Sequence, residues 1–116
     1  MTVSECYRKF GGDYEGTLDR LATESLVRKY LLRLLDDPCY GELVKNFNAH
    51  ADREAFQAVH TLKGLSLNLG LTKLTSSSSA LTEALCHGRQ EGAEELFEKV
   101  TEDYNEICGA IRELGE

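Results

Sequence analysis

One short run holds side chains able to do chemistry: Ala58-Val59-His60-Thr61-Leu62-Lys63-Gly64. An imidazole is neutral in a large fraction of molecules near pH 7, so it can act as a nucleophile without a strong base beside it. On a helix, Lys63 lies one turn from His60, near enough to offer a cation to an anion held on the ring. Gly64 also sits one turn on, and its missing side chain opens space beside the imidazole, at a helix cost of about 1 kcal/mol relative to Ala. At about 100° per residue, Ala58, Leu62, Leu65 and Leu69 gather on one side, with Ala55, Val59 and Ser66 at its margin. This is the expected core side. Arg53, Phe56, Gln57, Lys63, Gly64 and Leu67 share the opposite face with His60. Phe56 and Leu67 are large apolar residues on an otherwise exposed face, which suggests a docking surface. From Arg53 through Lys73 the net charge is +2, from Arg53, Lys63 and Lys73 against Glu54.

Each of these residues also has a structural reading. A lone helical His is usually an ordinary side chain, Gly64 could serve close helix packing, and Phe56 or Leu67 could lie under the N-terminal segment. What favours a site is the combination on one face, opposite a clean apolar stripe.

The elements that must position this face read as helices throughout. Thr2–Phe10 is a short first helix stopped by Gly11-Gly12. Asp13 caps a second segment carrying Leu18 and Leu21. Thr23 precedes Leu26, Tyr30, Leu31, Leu34 and Leu35, which fit one apolar helical face. Asp37-Pro38 restarts the chain, with a capping side chain followed by Pro. Leu43, Val44 and Phe47 follow. Ala49-His50-Ala51 is a connection, and Asp52 is expected to cap the helix of His60, which runs to Leu69 with Gly70 as its stop. Thr72 is expected to cap the next helix, carrying Leu74, Leu81 and Leu85 and ending at Gly88. In the last segment, Glu91 to Leu114, Ala93, Leu96, Val100, Tyr104, Ile107, Ile111 and Leu114 recur by threes and fours. No alternation long enough for a strand appears, so the class is all-α. Ser76–Ser79 read as packing residues and solvent-facing filler; a phosphorylated loop is the sharper alternative, without support in the sequence.

Composition removes other classes. The 116 residues carry 13 Lys+Arg and 20 Asp+Glu, a net charge of −7, with 41% hydrophobic residues. That is one domain's length, with too much apolar content for a disordered tail. No stretch approaches the roughly 20 apolar residues of a membrane span, and the start of the chain lacks a signal-peptide pattern, so the expected location is cytoplasmic. The acidic balance argues against nucleic acid as partner. From Arg89 onward there are nine Asp+Glu and three Lys+Arg, net −6, so nearly all the charge lies there. Cys6, Cys39, Cys86 and Cys108 contain no close pair, which points to reduced, mostly buried thiols rather than a disulfide or a zinc site. His50 and His87 belong to no constellation and receive no role.

His60-Thr61-Leu62-Lys63-Gly64, followed by Asn68-Leu69-Gly70-Leu71, resembles the histidine-containing phosphotransfer (HPt) family of phosphorelays. The resemblance covers about residues 24–114. It implies an antiparallel four-helix bundle with an additional short N-terminal helix or helices. We expect a single domain over 1–116, with 1–22 an N-terminal extension and 23–116 the bundle core. It further implies a phosphocarrier, not an enzyme with its own kinase domain. His60 would take a phosphoryl group from a receiver-domain aspartate and pass it to another. Lys63 would stabilise the phosphoryl oxygens, Gly64 would give access, and Arg53, Phe56, Gln57 and Leu67 would meet the partner. The implied partners are response-regulator receiver domains and a hybrid histidine kinase, with no nucleic acid and no membrane. No cofactor or metal is expected on this chain, Mg²⁺ being expected on the receiver. The acidic bundle reads as monomeric, although bundle faces can also pair.

One position departs from the family pattern. Many members carry Ser directly after the Gly; here Leu65 stands there, and Ser66 follows. On the helical wheel Leu65 faces the core and Ser66 lies off the His60 face, which puts hydroxyl assistance in doubt. Gln57 is the alternative polar contact. The competing function is a docking module that binds receivers or other signalling proteins without being phosphorylated. A metal or haem bundle is the weakest reading, because no inward ligands converge. A kinase would need a Gly-rich phosphate loop, which is missing.

Overall fold

The computed structural model describes residues 1–115, and among them every regular element is an α-helix. These are α1 (Val3–Phe10), α2 (Tyr14–Leu21), α3 (Glu24–Leu34), α4 (Cys39–Asn48), α5 (Asp52–Asn68), α6 (Thr72–Cys86) and α7 (Ala93–Gly115). The all-α expectation and the breaks between helices are met. No helix among the described residues is long and apolar enough to cross a membrane.

The first four helix starts follow the capping residues in the sequence. Thr2 and Glu5 form a reciprocal capping box on α1. Asp13 accepts from the Gly16 amide at 3.0 Å, and Thr23 from the Leu26 amide at 3.1 Å. Asp37 accepts from the Cys39 amide at 2.9 Å, with Pro38 already in helical conformation.

Two expected caps do not form. Asp52 is the first residue inside α5, and Ala51 holds the cap position with no side-chain bond. The Asp52 carboxylate is drawn instead to Arg89, whose Nε donates to it at 3.0 Å. Thr72 likewise lies inside α6, behind Leu71 at the cap position. Leu71 is fully buried, so packing rather than a polar cap sets the start of that helix.

Helices α4 to α7 run up and down as an antiparallel four-helix bundle, with α5 packed against both α4 and α6, and α6 against α7. Aromatic pairs close the bundle between α4 and α7. Tyr40 stacks on Tyr104 at 3.9 Å between centroids, and Phe47 on Phe97 at 4.3 Å. Leu43, Leu62, Leu74, Leu81, Ile107 and Ile111 are fully buried between the helices. Ser77 and Ser78 are buried on α6 and Ser76 is exposed, as packing residues and filler should be. Cys6, Cys39 and Cys108 are buried, Cys86 is exposed, and all four are unpaired.

The N-terminal helices sit at the end of α5 and do not cover Phe56. The Tyr7 hydroxyl donates to the Leu69 carbonyl at 2.6 Å, and the Asp13 amide to the Gly70 carbonyl at 2.8 Å. Burial pushes the Tyr7 phenol up to about 12. Gly70 has φ +67°, and a Cβ there would meet the Thr17 Oγ1 at 2.3 Å and the Asp13 carbonyl oxygen at 2.5 Å. Only Gly serves this corner, on both conformational and steric grounds.

Candidate functional site

α5 presents two distinct faces. Ala55, Val59, Leu62 and Ser66 are fully buried, and Ala58 nearly so. Opposite them, His60, Arg53, Gln57, Gly64 and Leu67 are exposed, while Phe56 and Lys63 are half-buried. The residues placed together by the helical wheel do share one surface.

The Phe56 ring lies 5.9 Å from the His60 ring, tilted by 47°. One side of the imidazole thus faces an apolar neighbour. Lys63 follows one turn on, with its stem partly packed and its ammonium available to the same face. Gly64 resolves the question raised by its sequence. A Cβ built there meets nothing within 4 Å, so helix packing inside this chain does not require glycine. The free space lies outside the molecule, beside His60.

The flanks differ. Toward α4 a groove is lined by Glu42, Asn46, Glu54, Gln57 and Thr61, a polar and acidic border. Toward α6, Phe56 and Arg53 border a cavity with Leu85 and Cys86. Leu67, at the far end of the face, is the most exposed large apolar side chain among the described residues at 61%.

Three expectations need adjustment. Ser66 is not at a margin: it is wholly buried, and its hydroxyl donates to the Leu62 carbonyl at 2.7 Å. Leu65 faces the core as expected but is only half-buried: it packs against the core cluster and also lines a cavity between α3 and α5. Lys73 does not add to the basic face, since its ammonium pairs with Glu106 of α7 at 3.0 Å. Of the +2 counted between residues 53 and 73, Arg53 and Lys63 against Glu54 remain.

Arg20 was not visible as a site residue. Its guanidinium donates to the Asn68 carbonyl at 2.9 Å and the Leu67 carbonyl at 3.2 Å. It therefore gives the Asn68 carbonyl a donor, adds a second one to the Leu67 carbonyl, which also accepts from the Gly70 amide at 3.2 Å, and places a cation beside Leu67. Nothing in the sequence of α2 distinguishes this Arg, because its partners lie 48 and 47 residues away. His87 ends α6 and faces Glu83 at 3.5 Å, while His50 is exposed in the α4–α5 connection.

The bundle thus holds the His60 imidazole outward on α5, with Lys63 one turn away and no side chain at Gly64. The model of the Hpt domain family matches residues 18–113, most of the chain, and the protein belongs to that family. No curated protein and no solved structure matches it.

Proposed function

We propose that this protein is a histidine phosphocarrier of a phosphorelay, with His60 as the group that carries the phosphoryl. The observation that carries the reading is the surface of α5, where an exposed imidazole stands beside Lys63 and an unfilled Gly64 in a chain of the Hpt family.

The chemistry is a displacement at phosphorus. A lone pair on one ring nitrogen forms the N–P bond as the acyl-phosphate P–O bond of a receiver aspartate breaks. The receiver's carboxylate leaves with the bonding pair, and the other ring nitrogen keeps its proton. No base on this chain is needed, consistent with the absence of a carboxylate one turn from His60 on its own face. Lys63 holds the equatorial phosphoryl oxygens in transit. The receiver supplies Mg²⁺, and the transfer runs in reverse onto a second receiver. Phe56 limits water on one side of the ring, and Gly64 leaves room for the receiver to approach.

The test is transfer of label. Receiver domains are phosphorylated on Asp and mixed with the full chain. The expected result is acid-labile, alkali-stable label on this protein, lost in His60→Gln. A chain that binds receivers but never takes label would be a docking module instead, and the carrier reading would fall.

A further inference from the structure

The groove between α6 and α7 holds a cavity of about 360 Å³, lined by Thr72, Lys73, Ser76, Ser77, Lys99 and Asp103. Asp103 is only 4% exposed. Its Oδ1 pairs with the Lys99 ammonium at 3.2 Å, while its Oδ2 is buried without a hydrogen-bond partner. A carboxylate oxygen in that position has lost its water and gained nothing in return, which is costly. The nearby hydroxyls are turned elsewhere. Ser77 Oγ donates to the Leu74 carbonyl at 3.3 Å, and Thr72 Oγ1 to the Gly70 carbonyl at 3.5 Å. An unpaired acceptor on a cavity wall calls for a donor from outside the chain.

The surface beside the cavity selects a cation. At about 100° per residue, Glu95, Glu98, Glu102, Glu106 and Glu113 share an arc of about 80° on α7 and run about 27 Å along its axis. All five are exposed. Lys9, Lys73 and Lys99 reach Glu113, Glu106 and Asp103, so carboxylates on this side outnumber ammoniums by two to one. Glu95 and Glu98 pair with no cation among the described residues. Gly109 falls in the same arc, between Glu106 and Glu113. A Cβ there meets nothing within 4 Å, so packing inside the chain does not require glycine, and the bare position lets a second segment lie close. α4 and α6 stand between α5 and α7, so this stripe faces away from His60.

We infer that the acidic stripe of α7 is a docking surface for a basic segment of a partner protein, one arginine of which enters the α6–α7 cavity and donates to Asp103 Oδ2. A guanidinium suits the cavity better than an ammonium. Its flat fork can donate to Oδ2 and to the Ser76 and Ser77 hydroxyl oxygens together. Lys99 gives way toward Glu102, whose carboxylate already lies at 3.8 Å. Further basic residues of the segment meet Glu95 and Glu98. A partner held here leaves His60 uncovered, so tethering and exchange can proceed together. The inference goes beyond the carrier reading and does not rest on it.

The experiment titrates the full chain into two fluorescent octapeptides at low salt, one alternating arginine with alanine and one alternating lysine with alanine. Anisotropy gives the Kd of each. The arginine peptide should bind about fivefold more tightly than the lysine peptide, although their charges are equal. Asp103→Asn should weaken the arginine peptide about tenfold and abolish the preference over lysine. Glu98→Gln removes one exposed charge and should weaken both peptides only about twofold. Glu83→Gln, on α6 outside the stripe, should change neither. Ser76 is exposed, so Ser76→Phe keeps the fold while closing the cavity, and it too should erase the preference. Amide shifts on adding the arginine peptide should centre on residues 72–77 and 95–106. Equal binding of the two peptides, or an Asp103→Asn effect no larger than that of Glu98→Gln, means ordinary surface attraction and overturns the inference. So does absent binding, or amide shifts centred on α5. None of these outcomes bears on label transfer to His60, which fails or succeeds separately.

Discussion

Arg20 of α2 donates to the carbonyl of Asn68, the last residue of the His60 helix, at 2.9 Å. Helix ends leave four carbonyls without partners inside the helix, and here a side chain from a separate helix meets two of them. The His60 helix is thus tied to the N-terminal pair α1–α2, which lies mostly outside the matched family region. Arg20→Ala should lower stability by about 1 kcal/mol, since these are charge-assisted bonds at an exposed site. The specific signature is faster amide exchange at residues 67–71. If exchange there is unchanged, the clamp contributes nothing.

Gly64 separates helix propensity from access. Because a Cβ meets nothing there, Gly64→Ala should stabilise the protein by up to about 1 kcal/mol in urea unfolding. Gly64→Gln should keep the helix content but slow phosphotransfer about tenfold, by filling the space beside His60. A Gln variant with parental transfer rates would show that the approach does not cross Gly64.

Most of the fold was legible because local signals agreed with tertiary packing. Thr2, Asp13, Thr23 and Asp37 cap where they were expected to, since nothing else competes for their side chains. Asp52 fails as a cap because Arg89, 37 residues away, provides a stronger partner. The His60 face was legible from helical period alone. The half-burial of Leu65 was not, since period assigns it an angle but not the neighbour at that angle. α3 leaves a cavity there instead of closing the core. Arg20 was invisible for the same reason.

The thiols offer a chemical check. Cys86 is exposed and the other three are buried, so a thiol reagent should label one Cys per native chain and four after denaturation. Burial pushes Cys39 up to about 12, and Tyr7 likewise. In the unfolded chain such groups ionise near about 8.5 and 10. Unfolding therefore releases protons between about pH 9 and 12, and the contribution of these groups to stability should be level below that window and fall through it. Cys39→Ser should make the alkaline fall shallower. An identical slope would mean that Cys39 is not kept protonated by the fold.

The end of the bundle away from the N-terminal helices depends on Arg89. Its side chain is 13% exposed, bonds Asp52 at 2.9–3.0 Å and the Phe47 carbonyl at 2.6 Å, and reaches Glu94 at 3.5 Å. Its guanidinium also lies over the Phe47 ring at 3.9 Å. One residue from the α6–α7 connection thus joins the end of α4 to the starts of α5 and α7. Arg89→Ala removes the guanidinium bond to the Phe47 carbonyl, which keeps the His50 amide at 3.1 Å, and leaves the Asp52 carboxylate without its cation. Loss of a partly buried, hydrogen-bonded ion pair of this kind costs about 2–3 kcal/mol. Arg89→Lys should recover only part of that, since an ammonium can neither fork between two acceptors nor stack flat on Phe47. Urea unfolding of the three proteins tests this ordering. Equal stability of the Ala and Lys variants would assign the effect to packing on Phe47 alone, and a parental value for Arg89→Ala would refute the proposed junction. Transfer at His60, two turns beyond Asp52, should change little while the variants remain folded.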